Sequence, residues 1–230
     1  MLVYEIRMKL LLKKDIPYFE ACEKIGQLIN RTLCKEPKYL SFHEELQDYK
    51  FYTFDSLYPI EKDGIYKHGM TYGVRLRTIK EDLAEFFLEN LRHEETAFMR
   101  CNGIGIKIIP KKPIDTLVTI TPVVMKNYPS GYWKTDITSA QFEKRLTDNL
   151  IKKFKNFTGE ALDENFILYN AIRFKNSKPI RVSYKGINLL GDKLEIVVAP
   201  NEKAQELFYM ALGTGLLENN SSGCGFVNYL

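Results

Sequence analysis

Hydrophobic and polar positions along the first half of the chain follow two periods. Alternation of apolar and polar residues predicts β-strands, and apolar residues spaced by three and four predict amphipathic helices. In chain order, the predicted elements are a strand over Val3–Leu12, a helix over Tyr18–Leu33, strands over Phe51–Tyr58 and His68–Arg77, a helix over Glu81–Leu91 and a strand over Ile104–Ile109. The polar segment Cys34–Tyr49 has neither period and is predicted to be irregular.

The second half repeats this order with one additional strand. Its predicted elements are the strand Thr116–Val124, the helix Thr138–Phe154, the strands Phe166–Phe174, Ile180–Leu189 and Lys193–Ala199, the helix Glu202–Leu212 and the strand Gly225–Leu230. The order strand, helix, strand, strand, helix, strand is that of ferredoxin-like domains. The sequence therefore predicts an α+β fold of two tandem ferredoxin-like (βαββαβ, RRM-like) domains. Pro110-Lys-Lys-Pro113 predicts a short stiff linker, which gives domains at 1–111 and 114–230.

The composition is that of a globular protein. Hydrophobic residues make up 45% and charged residues 27% of the 230 positions. The longest uncharged apolar run, Leu117–Met125, has nine residues, whereas a helix needs roughly 20 to cross a bilayer. Glu5 and Arg7 interrupt the apolar N-terminus, which argues against a signal peptide. We therefore expect a cytoplasmic protein with no membrane partner.

The sequence shows no pattern of metal ligands. The four cysteines form no C-x-x-C pair, and no histidine stands at zinc-ligand spacing from them. No cluster of carboxylates indicates a divalent cation site. We expect reduced thiols, no metal and no cofactor.

Positive charge is concentrated in one segment of a nearly balanced chain. The formal net charge is +4, but residues 144–185 alone carry ten basic and four acidic side chains, a net of +6. Such a segment is typical either of a face that binds a polyanion or of a solvated, lysine-rich surface. The charge pattern alone leaves both interpretations open.

A glycine-rich loop separates the last predicted helix from the last strand. It contains the glycine pairs Gly213/Gly215 and Gly223/Gly225, with Asn220-Ser221 between them. Glu218 stands where a dinucleotide-binding fingerprint requires glycine, and the helix precedes the loop instead of following it. Two interpretations remain: a loop whose backbone N–H groups bind phosphates, or a glycine turn that packs between two domains.

The domain order and this loop together resemble the Cas6 endoribonucleases of CRISPR systems, members of the RAMP superfamily. That family has two ferredoxin-like domains and a G-x-G, a polar run with Asn-Ser, and a second G-x-G that leads into the last strand. The matching residues are Gly213, Gly215, Asn220, Ser221, Gly223 and Gly225. The resemblance covers essentially the whole chain. It implies an enzyme that cleaves CRISPR repeat RNA in the precursor transcript to give mature crRNAs.

The resemblance also implies where the cleavage chemistry takes place. Family members that use a histidine place it just after the first helix, where this sequence has His43, followed by Lys50 before the next strand. Histidine can transfer protons near neutral pH, and a lysine can offset charge on the phosphorane. Attack by the neighbouring 2′-hydroxyl needs no metal, and it leaves a 2′,3′-cyclic phosphate and a 5′-hydroxyl.

The remaining catalytic positions have several candidates. The family's tyrosine on the first helix has no counterpart, because Asn30 and Arg31 occupy that region. Tyr49 is expected to take its role, with Tyr39 as the alternative. The alternatives to Lys50 are Lys35 and Lys38. His68 and His93 are expected to have no catalytic role.

In family members, the basic region after the middle of the chain helps to hold the repeat RNA, commonly a hairpin, largely through phosphates. The expected RNA-binding residues are Lys152, Lys153 and Lys155 at a helix end, Arg173, Lys175, Lys178 and Arg181 on a hairpin around Asn176-Ser177, and Gly213, Gly215, Asn220, Ser221, Gly223 and Gly225 in the loop.

Two other functions fit the same fold. One is a non-catalytic, RNA-binding RAMP subunit of a CRISPR effector complex. The other is a tandem ferredoxin-like module that binds a metabolite or a protein. The expected partner is the CRISPR repeat RNA of the precursor transcript (pre-crRNA), and further candidates are a Cascade-type effector complex and a second copy of the chain.

Overall fold

The structure is a computed structural model that describes residues 1–44, 49–126, 128–163 and 165–230, with the backbone alone for 41–44. Its strands are β1 (Val3–Leu12), β2 (Ile16–Pro17), β3 (Tyr52–Phe54), β4 (Ile65–Tyr66), β5 (Thr71–Thr78), β6 (Met99–Ile109), β7 (Thr116–Thr119), β8 (Val123–Val124), β9 (Tyr169–Phe174), β10 (Ile180–Tyr184), β11 (Ile187–Asp192), β12 (Leu194–Val198) and β13 (Val227–Tyr229). Its α-helices are α1 (Ala21–Leu33), α2 (Pro37–Glu44), α3 (Glu81–Asn90), α4 (Trp133–Asp136), α5 (Ser139–Thr158) and α6 (Glu202–Thr214). Within the described residues, no helix is both long enough and apolar enough to cross a bilayer.

The first half folds around an antiparallel sheet with the strand order β3-β5-β1-β6. Alternate residues of β1 face opposite sides of this sheet. Ile6, Met8 and Leu10 are buried in one hydrophobic cluster with side chains of α1 and α3. Arg7 and Lys9 are exposed on the other side. The predicted strands and the helices α1 and α3 are all present, although β3 is shorter than predicted.

The segment predicted to be irregular contains a helix. α2 covers Pro37–Glu44, so His43 lies in the last turn of a helix and not in a loop. Proline favours the first position of a helix because its missing N–H has no intrahelical partner there. The hydrophobic pattern missed α2 because eight residues make only about two turns, too few to show a helical period.

The second half is built around a sheet with the order β13-β7-β12-β9, covered by α5 and α6. In both halves the first and third strands of the βαββαβ unit are central, and the fourth lies beside the first. The predicted fold of two tandem ferredoxin-like units is therefore confirmed. The cap of α5 is Thr138, whose side chain accepts the Gln141 backbone N–H while the Gln141 side chain accepts the Thr138 N–H.

The predicted hairpin around Asn176-Ser177 is wrong. β9 pairs with β12, whereas β10 pairs with β11 in a separate sheet of order β10-β11-β8. The Asn176 side chain donates to Asp192 Oδ1 at 2.8 Å and accepts the Lys193 N–H at 2.6 Å, which ties the end of β9 to the start of β12. The actual hairpin turn is Lys185-Gly186, where φ is 48° and 79°.

The two halves share a buried boundary. Four apolar residues of the first half belong to the hydrophobic core of the second, namely Val3, Phe51, Ile79 and Ile109. The Arg77 guanidinium of β5 crosses the same boundary and donates to the Val227 carbonyl oxygen at 2.8 Å. The domain limits 1–111 and 114–230 stay a prediction.

Candidate functional site

The glycine-rich loop follows α6 and lies between the two halves. Five of its residues have positive φ, namely Gly215, Leu217, Asn219, Gly223 and Gly225. A short 3-10 turn at Asn220–Ser222 packs against β3 and α1 of the first half. The loop therefore connects the second half to α1 and β3 of the first half. The candidate catalytic residues His43 and Lys50 lie between these two elements in the sequence.

The glycines of this loop allow close contacts within the protein. A Cβ atom at Gly225 would lie 2.2 Å from the Leu216 carbonyl oxygen, and one at Gly213, inside α6, would lie 2.6 Å from Ile79 Cγ2. The N–H groups of Gly215, Gly223 and Gly225 already donate to carbonyl oxygens of the chain. These three N–H groups have partners within the chain, and contact of Gly213, Gly215, Gly223 and Gly225 with RNA stays a prediction.

Lys153 of α5 is buried beneath the loop and 2% exposed. Its ammonium donates three hydrogen bonds into the loop, to Gly215 O at 2.8 Å, Leu217 O at 3.1 Å and Asn220 Oδ1 at 2.6 Å. Burial lowers the pKa of Lys153 to about 7, although the Glu218 carboxylate acts in the opposite direction. All three ammonium protons have acceptors in the loop, so Lys153 and Asn220 hold the loop together, and their contact with RNA stays a prediction.

A cleft of about 470 Å³ opens beside the loop, along α5. Its lining residues are Tyr49, Gln141, Lys144, Arg145, Asp148, Asn149, Lys152 and Glu218. Arg145 Nε lies 3.0 Å from Glu218 Oε1, and Lys144 Nζ lies 3.1 Å from Asp148 Oδ2. Lys152 has no ion pair with a described carboxylate, so the cleft keeps an excess of positive charge.

Lys50 adjoins this cleft as the neighbour of Tyr49, and both are half-buried. Burial, followed by the charges of Lys185 and Lys126, holds the pKa of Lys50 below its ordinary value of 10.5. Lys126 Nζ and Lys185 Nζ lie 6.0 Å and 5.6 Å from the centroid of the Tyr184 ring. In the part of the chain that the structure describes, none of these three lysines pairs with a carboxylate. They converge from both halves and favour a bound anion.

The side chain of His43 lies outside the described residues, so its catalytic role stays a prediction. The structure does describe the alternatives to Lys50. Lys35 Nζ lies 2.5 Å from Glu94 Oε2, and Lys38 Nζ lies 2.9 Å from Asp82 Oδ2. Because both ammonium groups have carboxylate partners, they are less suited than Lys50 to offset the charge of a phosphorane.

The two tyrosine candidates have different surroundings. Tyr39 is 3% exposed, and its hydroxyl donates to Asp82 Oδ2 at 3.4 Å. Tyr49 lines the cleft, and burial followed by the Glu218 charge raises the pKa of its hydroxyl. Tyr49 is therefore the better placed of the two, and its role stays a prediction.

The predicted RNA-binding cations outside the loop lie on different elements of the second half. The exposed ones are Lys152, Lys155, Arg173, Lys175, Lys178 and Arg181. Arg173 and Lys175 share the Glu195 carboxylate, each at 2.8 Å. Arg181 of β10 lies 4.2 Å from the centroid of the Phe19 ring, which brings this hairpin onto the first half. Contact of these cations and of Ser221 with RNA stays a prediction.

Sequence reasoning missed Lys126 and Lys185 as members of the site. Lys185-Gly186 is a turn dipeptide between two alternating runs, a pattern that indicates a hairpin. No sequence signal marks Lys126, because only the packing of β8 against the loop brings it near Lys50. Its backbone N–H donates to Glu218 Oε2 at 2.9 Å.

Comparisons with known proteins agree with the fold and the loop. The family model described as CRISPR associated protein Cas6, C-terminal, matches residues 106–229. The CRISPR-associated endoribonuclease Cas6 2 of Methanocaldococcus jannaschii is 23% identical over 244 residues, which cover 97% of this chain and 99% of that protein. A solved structure described as CRISPR associated protein Cas6 has a TM-score of 0.73 at 21% identity and 99% coverage of both chains. Another, described as a RAMP protein binding different RNA substrates, has a TM-score of 0.72 at 18% identity, and it covers 99% of both chains.

The family match covers more than half of the chain and includes the whole glycine-rich loop. The fold contains the two ferredoxin-like units that the resemblance implies. The glycine-rich loop joins them, because Lys153 of the second half donates hydrogen bonds to it and α1 of the first half packs against it. The chain therefore belongs to the Cas6 family of CRISPR-associated proteins.

Proposed function

We propose that this protein is an endoribonuclease that cleaves CRISPR repeat RNA in precursor transcripts. The observation that carries the proposal is the convergence of Lys50, Lys126 and Lys185 beside the positively charged cleft. RNA phosphates are the anions that suit such a site. Family membership and the name of the Methanocaldococcus relative support the same function.

The proposed reaction is metal-independent. The 2′-hydroxyl next to the scissile phosphate attacks phosphorus, the bond to the leaving 5′-oxygen breaks, and the products carry a 2′,3′-cyclic phosphate and a 5′-hydroxyl. His43 transfers the proton of the nucleophile or of the leaving group. Lys50 offsets the charge of the phosphorane, and Tyr49 is the third candidate. The Cascade-type complex and the second copy of the chain stay predicted partners.

Cleavage of the cognate repeat RNA should persist in excess EDTA, because the proposed nucleophile is a hydroxyl of the substrate itself. It should stop when the nucleotide upstream of the scissile phosphate is 2′-deoxy. Gel analysis of end-labelled RNA measures both outcomes, and a matched RNA with the 2′-deoxy residue one position further upstream is the control. Loss of activity in EDTA that Mg²⁺ restores would rule out this mechanism. Tight binding of the repeat without cleavage would favour the non-catalytic RAMP subunit.

The plot of kcat/KM against pH should have a falling alkaline limb, and deprotonation of Lys50 should determine its position. Its ammonium loses the proton at a lower pH than a free lysine, because burial and two like charges disfavour the charged form. The rate constant kcat/KM should therefore fall as pH rises through this lowered pKa, below 10.5. Replacing Lys126 and Lys185 by glutamine should move the limb to higher pH, because two repelling charges are removed.

The matched control replaces two distant lysines, Lys111 and Lys203, by glutamine. This variant loses the same total charge but should leave the alkaline limb where it is. If the alkaline limb stays in place in the Lys126/Lys185 variant, Lys50 does not set it, and the proposed role of Lys50 is contradicted.

A further inference from the structure

Phe51 has a backbone conformation that is rare for a bulky residue. Its φ is 53°, in the left-handed region, where the Cβ atom of an L-residue comes close to the following carbonyl oxygen. Such a conformation persists only where the surrounding structure holds it, and residues of this kind cluster at functional sites. Phe51 directly follows Lys50 and precedes β3, so the left-handed turn lies between the candidate catalytic lysine and the first sheet.

This turn takes the chain out of the register of the first sheet. β3 pairs with β5 in an antiparallel ladder. An extended backbone at Phe51 would continue the ladder and bring Lys50 opposite Lys80, at the start of α3. Instead, Lys50 is half-buried and near the charges of Lys126 and Lys185 of the second half. The conformation of Phe51 therefore decides which half of the protein Lys50 faces.

The backbone and the side chain of Phe51 are held by different halves. Thr78 Oγ1 of β5 donates to the Phe51 carbonyl oxygen at 2.8 Å. The Phe51 ring is 6% exposed and belongs to the hydrophobic core of the second half. There it packs edge-to-face against the ring of Phe157 of α5, with 5.4 Å between the ring centroids. Contacts on both sides of the boundary therefore hold the left-handed conformation in place.

α5 contacts both chain neighbours of Lys50. Phe157 packs against Phe51, and Lys153 Nζ lies 5.9 Å from the centroid of the Tyr49 ring. Lys153 and Phe157 are four positions apart, so they lie on the same face of α5, one turn from each other. The residues before and after Lys50 therefore pack on one helix face, which fixes the backbone of Lys50 at both ends.

We propose that Phe51 and Phe157 form a positioning pair for the cleavage reaction, which holds Lys50 beside Lys126 and Lys185 where it can offset the charge of the phosphorane. The proposal rests on the proposed function of Lys50. Phe51 and Phe157 act through Lys50 and not on the RNA. Without the contact between the two rings, the backbone before β3 would return to the extended conformation that L-residues prefer, and Lys50 would leave the anion site.

The test replaces Phe157 by alanine, because this change removes the anchor and leaves residues 49–51 as they are. Phe157 is only partly buried, so the variant should fold. The single-turnover rate of repeat cleavage at saturating protein should fall by about 10- to 100-fold, the effect expected when a catalytic group is displaced by about 1 Å. Affinity for the uncleavable 2′-deoxy repeat should hardly change, because the phosphate contacts are kept.

A second measurement needs no RNA. The protein is produced with lysine labelled with ¹³C at Cε, and NMR spectra over a range of pH give the pKa of Lys50, whose signal is assigned with a Lys50→Arg variant. Burial and the charges of Lys126 and Lys185 hold this pKa below 10.5 in the wild type. In Phe157→Ala the pKa of Lys50 should rise towards 10.5, because the ammonium moves into solvent and away from two like charges.

Phe166→Ala is the matched control. Phe166 is also partly buried against the core of the second half, but its ring lies beside Lys203, with 5.6 Å between the centroid and the ammonium. This variant should lose a similar amount of thermal stability and keep both the cleavage rate and the pKa of Lys50. Phe157→Tyr, which keeps the ring, should restore both.

Three outcomes decide between the proposal and its alternatives. An unchanged pKa of Lys50 or an unchanged cleavage rate in a folded Phe157→Ala protein would overturn the proposal. Equal effects of Phe157→Ala and Phe166→Ala would also overturn it, because they would reflect a general loss of packing. A wild type that cleaves no repeat, while Phe157→Ala still shifts the pKa of Lys50, would refute the proposed function alone.

Discussion

Replacing His43 by alanine should reduce the single-turnover rate of repeat cleavage by about 10²- to 10⁴-fold, the usual contribution of a positioned proton-transfer group. RNA affinity should hardly change, because one imidazole adds little beside the many phosphate contacts of the cleft and its lysines. The rate is measured with excess protein, and the affinity with the uncleavable 2′-deoxy substrate. A purely structural histidine would instead lower affinity, rate and melting temperature together.

The chain contains two matched controls for this variant. His68 and His93 are exposed on the first half, and neither lines the cleft. Alanine at either position should leave the cleavage rate at the wild-type value. A His43→Ala protein that is folded and cleaves at nearly the wild-type rate would remove His43 from the mechanism.

Much of the fold could be predicted because local patterns and tertiary packing agree. β1 has the predicted bounds, since its alternation places Ile6 and Met8 in the core and Arg7 at the surface. Asn201 caps α6 as its position predicts, accepting the Ala204 N–H at 3.0 Å. The pairing of β9 and β10 could not be predicted, because alternation shows that a strand exists but not which strand lies beside it.

The candidate site was less predictable, for reasons that differ from residue to residue. Lys153 follows the buried Leu146 by seven positions and Leu150 by three, so the helical period already places it on the apolar face of α5. A lysine on that face needs buried acceptors, and the loop supplies three. The convergence of Lys126 with Lys50 has no such signal, because the two residues meet only after the halves have packed.

The second large effect is a loss of stability, expected on substitution of Gly225, because the glycine-rich loop packs closely within the protein. Alanine there should lower the free energy of unfolding by about 2–5 kcal/mol. The φ of Gly225 is 68°, a conformation that costs an L-residue about 1–2 kcal/mol. The new Cβ would also lie 2.2 Å from the carbonyl oxygen of Leu216. The backbone of Leu216 cannot move away easily, because the Leu216 N–H donates to Gly225 O at 2.9 Å. Overpacking of this kind adds about 1–3 kcal/mol.

Gly159, at the end of α5, separates the two contributions. Its φ of 76° is nearly the same, but a Cβ atom there would meet nothing within 4 Å. Gly159→Ala should therefore cost only the backbone term, about 1–2 kcal/mol. Urea unfolding of both variants, followed by far-UV circular dichroism, measures the difference. Equal losses would mean that the loop can move away from the added methyl group. A loss at Gly225 that exceeds the loss at Gly159 by about 1 kcal/mol or more would establish that the loop is a tightly packed joint between the two halves.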